Sequence, residues 1–178
     1  MNRAFAIALL LLVLAGCEER MKPAVEPFPE QGDIPSQESW YSKIVFSDSG
    51  IVRATVYADH IRVYEDQLVT FLDSNVVVNF YNRDGQHTST LRADRGKVND
   101  RTKDLEAFDN IVFKSDSGTV VTTDYLFWDN RQRQVRSDKF VTITSPKERI
   151  QGYGFEADQS LKNYTIYKVS GQAELKGK

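Results

Sequence analysis

Ser47-Asp48-Ser49-Gly50-Ile51-Val52-Arg53-Ala54-Thr55-Val56-Tyr57-Ala58-Asp59 carries, in one short stretch, the features that decide the fold. Asp and Ser followed by Gly supply the positive φ of a tight turn. Val52, Ala54, Val56 and Ala58 then alternate with Arg53, Thr55, Tyr57 and Asp59. A period of two places one set on an apolar face and the other on a polar face of a strand. At Ala58-Asp59 the parity changes, because Ala58 and the next apolar residue, Ile61, are an odd distance apart. A β-bulge has that effect: it adds one residue and bends the strand.

The same marks recur along the chain. Ser47-Asp48-Ser49-Gly50 returns letter for letter as Ser115-Asp116-Ser117-Gly118, with Asn82-Arg83-Asp84-Gly85 between them and Ser145-Pro146-Lys147-Glu148 after them. Ala58-Asp59, Ala93-Asp94, Thr123-Asp124 and Ala157-Asp158 keep step with those turns. Each is followed by a short alternating stretch, ending in polar turns such as Asp100-Arg101-Thr102-Lys103 and Asp129-Asn130-Arg131-Gln132. A fixed period of this kind signals stacked units of one supersecondary type. Val76, Val78 and Phe80 alternate with Val77, Asn79 and Tyr81, and Trp40, Ile44 and Phe46 share one parity. No helical period is evident after Ser36. The expected class is all-β, an antiparallel sheet built from repeated hairpins that bulges curve into a trough.

A single sheet with one apolar face must fold on itself, pair with a second sheet, or bind something apolar. The pattern leaves open whether large side chains such as Phe80, Phe113, Trp128 and Phe140 fill a closed sandwich or line an open trough. Two edge strands are expected, near Trp40–Phe46 and Tyr164–Leu175, and unpaired edges suit strand addition to a partner.

The N-terminus is read as an export signal. Arg3 precedes an apolar run from Ala4 to Leu14, too short to span a bilayer as a mature helix. Leu14-Ala15-Gly16-Cys17 resembles the lipobox of bacterial lipoproteins, whose cysteine is lipidated after cleavage before it. This expectation assigns residues 1–16 to the signal, 17–35 to lipidated Cys17 and a tether, and 36–178 to the folded domain. Cys17 is the sole cysteine, which excludes disulfides within the chain. Four of the five prolines lie within residues 18–35 together with Glu18, Glu19, Glu26 and Glu30, and the eighteen residues reach about 50 Å when extended. Once Arg3 is removed, 22 basic side chains face 25 acidic ones, which is no nucleic-acid footprint.

Catalysis finds little support. His60 and His87 are the only histidines, and neither sits at a metal-ligand spacing. No phosphate loop, nucleophile elbow or dinucleotide motif is present, so no cofactor, metal or catalytic residue is expected. Gly152 and Gly154, two apart in a strand-like run, point instead to close backbone approach or a bulge.

Ser39-Trp40-Tyr41-Ser42-Lys43-Ile44-Val45-Phe46-Ser47-Asp48-Ser49-Gly50 resembles the opening of the LptC domain. So does Ile150-Gln151-Gly152-Tyr153-Gly154-Phe155-Glu156-Ala157-Asp158 followed by Asn163-Tyr164. The resemblance covers about residues 36–175 and extends to the class that LptC shares with LptA and LptD. It implies a twisted, open antiparallel β-jelly roll with an apolar trough that carries the acyl chains of lipopolysaccharide. On this reading the trough is lined by Ile61, Val63, Val76, Val78, Phe80, Ile111, Phe113, Leu126, Trp128 and Phe140. The partner edges carry Trp40, Ile44 and Phe46 towards an LptB/LptF/LptG-type ABC transporter, and Tyr164, Ile166 and Tyr167 towards an LptA-like protein. Many LptC proteins have an N-terminal transmembrane helix where this chain has its lipobox. The resemblance implies a periplasmic location on the outer face of the inner membrane; the lipobox itself leaves open which membrane the anchor enters, and Glu18 does not settle it. The other reading is a scaffolding lipoprotein whose filled β-domain binds only protein partners.

Overall fold

The computed structural model describes residues 34–174, with side chains through residue 171. Cys17, the signal segment and all but the last two residues of the tether lie outside the described residues. Nine strands form one antiparallel sheet in strict chain order: β1 (Gln37–Asp48), β2 (Ile51–Tyr64), β3 (Val69–Tyr81), β4 (His87–Asn99), β5 (Leu105–Ser115), β6 (Val120–Asp129), β7 (Gln134–Thr144), β8 (Glu148–Asp158) and β9 (Tyr164–Glu174). A single 3-10 turn, Glu65–Gln67, joins β2 to β3. β1 and β9 each have one neighbour, so the sheet is open at both ends.

The glycine turns fall where the repeat places them. Gly50, Gly85 and Gly118 adopt φ of 79°, 77° and 92° at the β1–β2, β3–β4 and β5–β6 turns. The two stretches that flank each Ala-Asp step are one continuous strand with a kink in it. Inner-face residues step by three at that point: Ala58 to Ile61 in β2, Ala93 to Gly96 in β4, Thr123 to Leu126 in β6. The partner strands answer with a step of four: Leu72 to Val76 in β3, Ala107 to Ile111 in β5, Ser137 to Val141 in β7. Register shifts line up across the sheet at these places.

The four-residue steps are where the backbone turns left-handed, at Ser74 and Asn75 (φ 61° and 50°) and at Asp109 and Asn110 (φ 65° and 49°). Asn and Asp tolerate that region better than other side chains because they bond locally. On the outer face Arg62 reaches Asp73 at 2.9 Å, Arg95 reaches Asp109 at 2.6 Å, and Asn110 donates to Asp94 at 2.6 Å. Exposed ion pairs contribute at most about 1 kcal/mol each.

The fourth Ala-Asp pair is a correction. Ala157-Asp158 ends β8 and makes no kink; the three-residue step in β8 runs from Gly152 to Phe155. The residues after it, Leu161–Asn163, are a turn rather than a strand. Asp158 organises that turn, accepting from the amides of Ser160, Lys162 and Asn163, the Ser160 hydroxyl and the Asn163 amide group. Burial alone would raise its pKa, but the bonds from Ser160 and Asn163 outweigh that and hold the carboxyl below its usual value.

The aligned kinks divide every interior strand in two and fold the sheet into two facing leaves. Phe80, beyond the kink of β3, meets Trp128, from the opposite half of β6, at 5.1 Å between ring centroids. Phe80 also meets Phe113 at 5.7 Å. The turn-bearing ends of the leaves touch as well. Ser89 donates to the Gln159 carbonyl at 2.5 Å, Gln159 donates to the Tyr81 carbonyl at 3.0 Å, and Arg133 lies 3.7 Å from Asp48.

Candidate functional site

The candidate site is the seam between the leaves. Of the ten residues expected to line it, Ile61, Val76, Val78, Phe80, Ile111, Phe113, Leu126 and Trp128 are buried on the inner face. Val63 is half-buried and packs against them. Phe140 is the exception. It lies on the outer face, where it is 40% exposed and meets Tyr153 at 5.1 Å. Parity counted from Val141 and Ile143 places Phe140 outside, and so does parity counted from Val135 and Ser137, because the four-residue step preserves it. The seam also takes Leu72, Leu91, Leu105, Val121, Val135 and Phe155, which continue the alternation on the inner face.

The interior is continuous and filled by its own side chains. Phe80 and Phe113 are fully buried, and Trp128 and Phe155 are at most 2% exposed. The expected apolar trough is, in this structure, packed by its own side chains. A few hydroxyls lie within it and are bonded: Thr123 donates to the Phe140 carbonyl at 2.9 Å, and Ser115 bonds the Thr119 backbone. The Trp128 indole nitrogen is buried with no hydrogen-bond partner among the described residues.

The seam ends at the two edge strands. Ile44 and Phe46 on β1, and Tyr164 and Ile166 on β9, are half-buried and pack against the core. Trp40 and Tyr167 are on the same strands but face outwards, 60% and 64% exposed. Tyr41, at φ 51°, marks a kink in β1, so Trp40 does not share a face with Ile44 and Phe46 as simple alternation predicts. Trp40 instead stacks on His60 at 5.2 Å, and His60 lies 3.2 Å from Glu38. His87 lies 3.0 Å from Asp116. Both histidines are on the outer surface, in contact with carboxylates.

A separate cavity of about 770 Å³ lies on the outer face, beside Tyr125, Phe127, Arg136, Tyr153 and Tyr167. Arg136 packs over the Phe127 ring at 4.4 Å. Burial, with the charge of Glu106 beside it, pushes the Tyr125 hydroxyl up to about 12. Among the described residues no helix is long and apolar enough to cross a membrane.

Residues 4–174 match the family described as lipopolysaccharide-assembly, LptC-related. The chain belongs to the LptC family. That membership puts its role in lipopolysaccharide transport, and the match takes in the N-terminal segment as well as the sheet. No curated protein matches the chain in sequence. Among solved structures it is similar to LptH, the LptA-homologous periplasmic component of the lipopolysaccharide transport device from Pseudomonas aeruginosa. The identity is 13%, the TM-score 0.53, and the match covers 65% of this chain and 82% of that one. At that identity the likeness is one of fold alone.

Proposed function

We propose that this LptC-family chain is a membrane-anchored periplasmic carrier. It receives lipopolysaccharide from an LptB/LptF/LptG-type ABC transporter of the inner membrane and passes it to an LptA-like protein. The observation that carries this reading is the apolar seam running between two unpaired edge strands. Each CH₂ moved from water into such an interior gains about 0.8 kcal/mol. Transfer of that kind needs an apolar path with accessible ends and no chemistry, and no cofactor is required. The partner assignment follows the family: β1 towards the transporter, β9 towards the LptA-like protein, each by strand addition.

Photo-crosslinking amino acids at Val78, Phe113 and Leu126 should capture lipopolysaccharide in cells. The same group at Val112, which is exposed, should not. Folded protein that captures no lipid from any of the three interior sites would overturn the carrier reading. The filled interior favours one other reading, a scaffolding lipoprotein that binds proteins only. That reading requires crosslinks to protein alone.

The anchor is tested separately. Cys17→Ala should move the protein from the membrane fraction to the soluble periplasm, and metabolic labelling with an alkyne fatty acid should disappear. Two or more acyl chains hold firmly where one binds marginally. Retention of both label and membrane association by Cys17→Ala would show that another segment anchors the chain.

A further inference from the structure

At the turn-bearing side of the seam lies a cleft of about 430 Å³, lined by Arg53, Lys103, Arg131 and Arg133, with Asp48 and Phe46 at its wall. The cations come from three places distant in sequence. Arg53 follows the β1–β2 turn, Lys103 is in the β4–β5 turn, and Arg131 and Arg133 are in the β6–β7 turn. Folding of the sheet at its kinks brings them together.

Their existing partners do not balance them. Asp48 is the one acidic residue in the lining. It sits 3.9 Å from Arg53 and 3.7 Å from Arg133, and it is itself largely exposed. Lys103 is 3.5 Å from Asp100, which lies outside the lining. Arg53 is the most enclosed: its side chain is 12% exposed, and it donates to the Asn82 carbonyl at 2.9 Å. Its Nε is buried with no hydrogen-bond partner among the described residues. Desolvating a guanidinium without satisfying its donors is costly, and an anion offsets that cost. The planar guanidinium fork matches the oxygens of a phosphate.

Phe46, which lines the cleft, packs against the core, so the cleft adjoins the seam. We propose that this cleft is a phosphate-recognition site for the headgroup of an amphiphile whose chains enter the seam. The proposal rests on the carrier reading above and adds to it a polar address. A lipid with a phosphorylated headgroup is held at a defined depth and orientation, with its phosphate among Arg53, Lys103, Arg131 and Arg133. An uncharged lipid of the same chains lacks that hold.

The test uses the full chain with a photo-crosslinker at Leu126 and two probes: bisphosphorylated lipid A and the same lipid A after phosphatase treatment. Lys103, Arg131 and Arg133 are changed together to Gln; Arg53 is left in place because it is buried, and circular dichroism checks the fold. The wild-type chain should capture the bisphosphorylated lipid with half-saturation at least tenfold lower than the dephosphorylated one. The triple variant should lose most of that tenfold preference while capturing the dephosphorylated lipid as the wild type does. Inorganic phosphate, as a competitor, should displace the lipid only at concentrations far above the lipid's own.

Equal capture of both lipids by the wild-type chain would overturn the cleft and leave the carrier reading standing. Capture of neither would overturn both. An unchanged preference in the folded triple variant would place phosphate recognition elsewhere. Displacement by inorganic phosphate at concentrations like those of the lipid would make the cleft a free-anion site, against the proposal.

Discussion

Phe80→Ala should lower the unfolding free energy by about 3–5 kcal/mol, read as a shift of the urea midpoint with little change in slope. Phe80 is fully buried, and it is the ring that touches both leaves, meeting Phe113 at 5.7 Å and Trp128 at 5.1 Å. Its removal takes away a large apolar transfer term and leaves a void that the hydrogen-bonded leaves cannot close easily. The variant therefore has a second expected property. A cavity lined by Phe113 and Trp128 should bind a small apolar molecule such as benzene and regain part of the lost stability. Phe140→Ala is the control. Phe140 faces out and should cost far less, by at least about 2 kcal/mol, even though both are phenylalanines on interior strands. Equal losses from the two would refute the inner and outer assignment derived from the kinks.

Gly152→Val should detach the C-terminal edge. A Cβ at position 152 would lie 2.4 Å from the Lys168 carbonyl oxygen and 2.7 Å from the Ile166 Cγ2. The first contact is with backbone, which cannot swing aside, so β9 must move away from β8. Overpacking of this severity costs about 1–3 kcal/mol, and each β8–β9 backbone bond lost adds about 1 kcal/mol. Amide hydrogen exchange should show protection lost at Ile166, Lys168 and Val169 while β3 to β6 stay protected. Gly154→Ala should act more weakly. Its φ of +76° disfavours a side chain by about 1–2 kcal/mol, but its nearest contact, at 3.1 Å, is the Tyr167 ring, which can turn. Unchanged exchange in β9 of Gly152→Val would show that the close approach is not what holds the edge. Under the proposed function the same variant should also lose association with the LptA-like partner, because β9 is the strand to be extended.

The all-β class, the glycine turns and three of the four kinks were legible because each rests on local chemistry. A Ser-Asp-Ser-Gly turn needs positive φ wherever it occurs. A three-residue apolar step at Ala58-Asp59, Ala93-Asp94 and Thr123-Asp124 is visible as a change of parity. The close approach at Gly152 and the departure at Gly154 could be anticipated from their spacing. The fourth kink was missed because Ala157-Asp158 has the right letters in the wrong place. There the aspartate closes a turn, and the kink is made by Tyr153-Gly154, a pair with no counterpart in the other cycles.

The four-residue steps of β3, β5 and β7 were the harder feature. A step of four preserves parity, so alternation does not announce it. Their one signal is a short polar interruption, Asp73-Ser74-Asn75, Asp109-Asn110 or Asp138-Lys139, inside otherwise apolar alternation. Phe140 has the outward parity on both sides of its step, so its size and not the alternation argued for the interior; Trp40 faces out because Tyr41 takes a left-handed conformation.

By itself the sequence determined the period, the turns and the set of apolar side chains, because these depend on neighbours within a few residues. Only the tertiary structure decided which leaf faces which. It also decided that Phe80 meets Trp128, that the seam is packed shut, and that Arg53, Lys103, Arg131 and Arg133 share one cleft. Those contacts join residues tens of positions apart, and they follow from small bends accumulated at every kink of the stack.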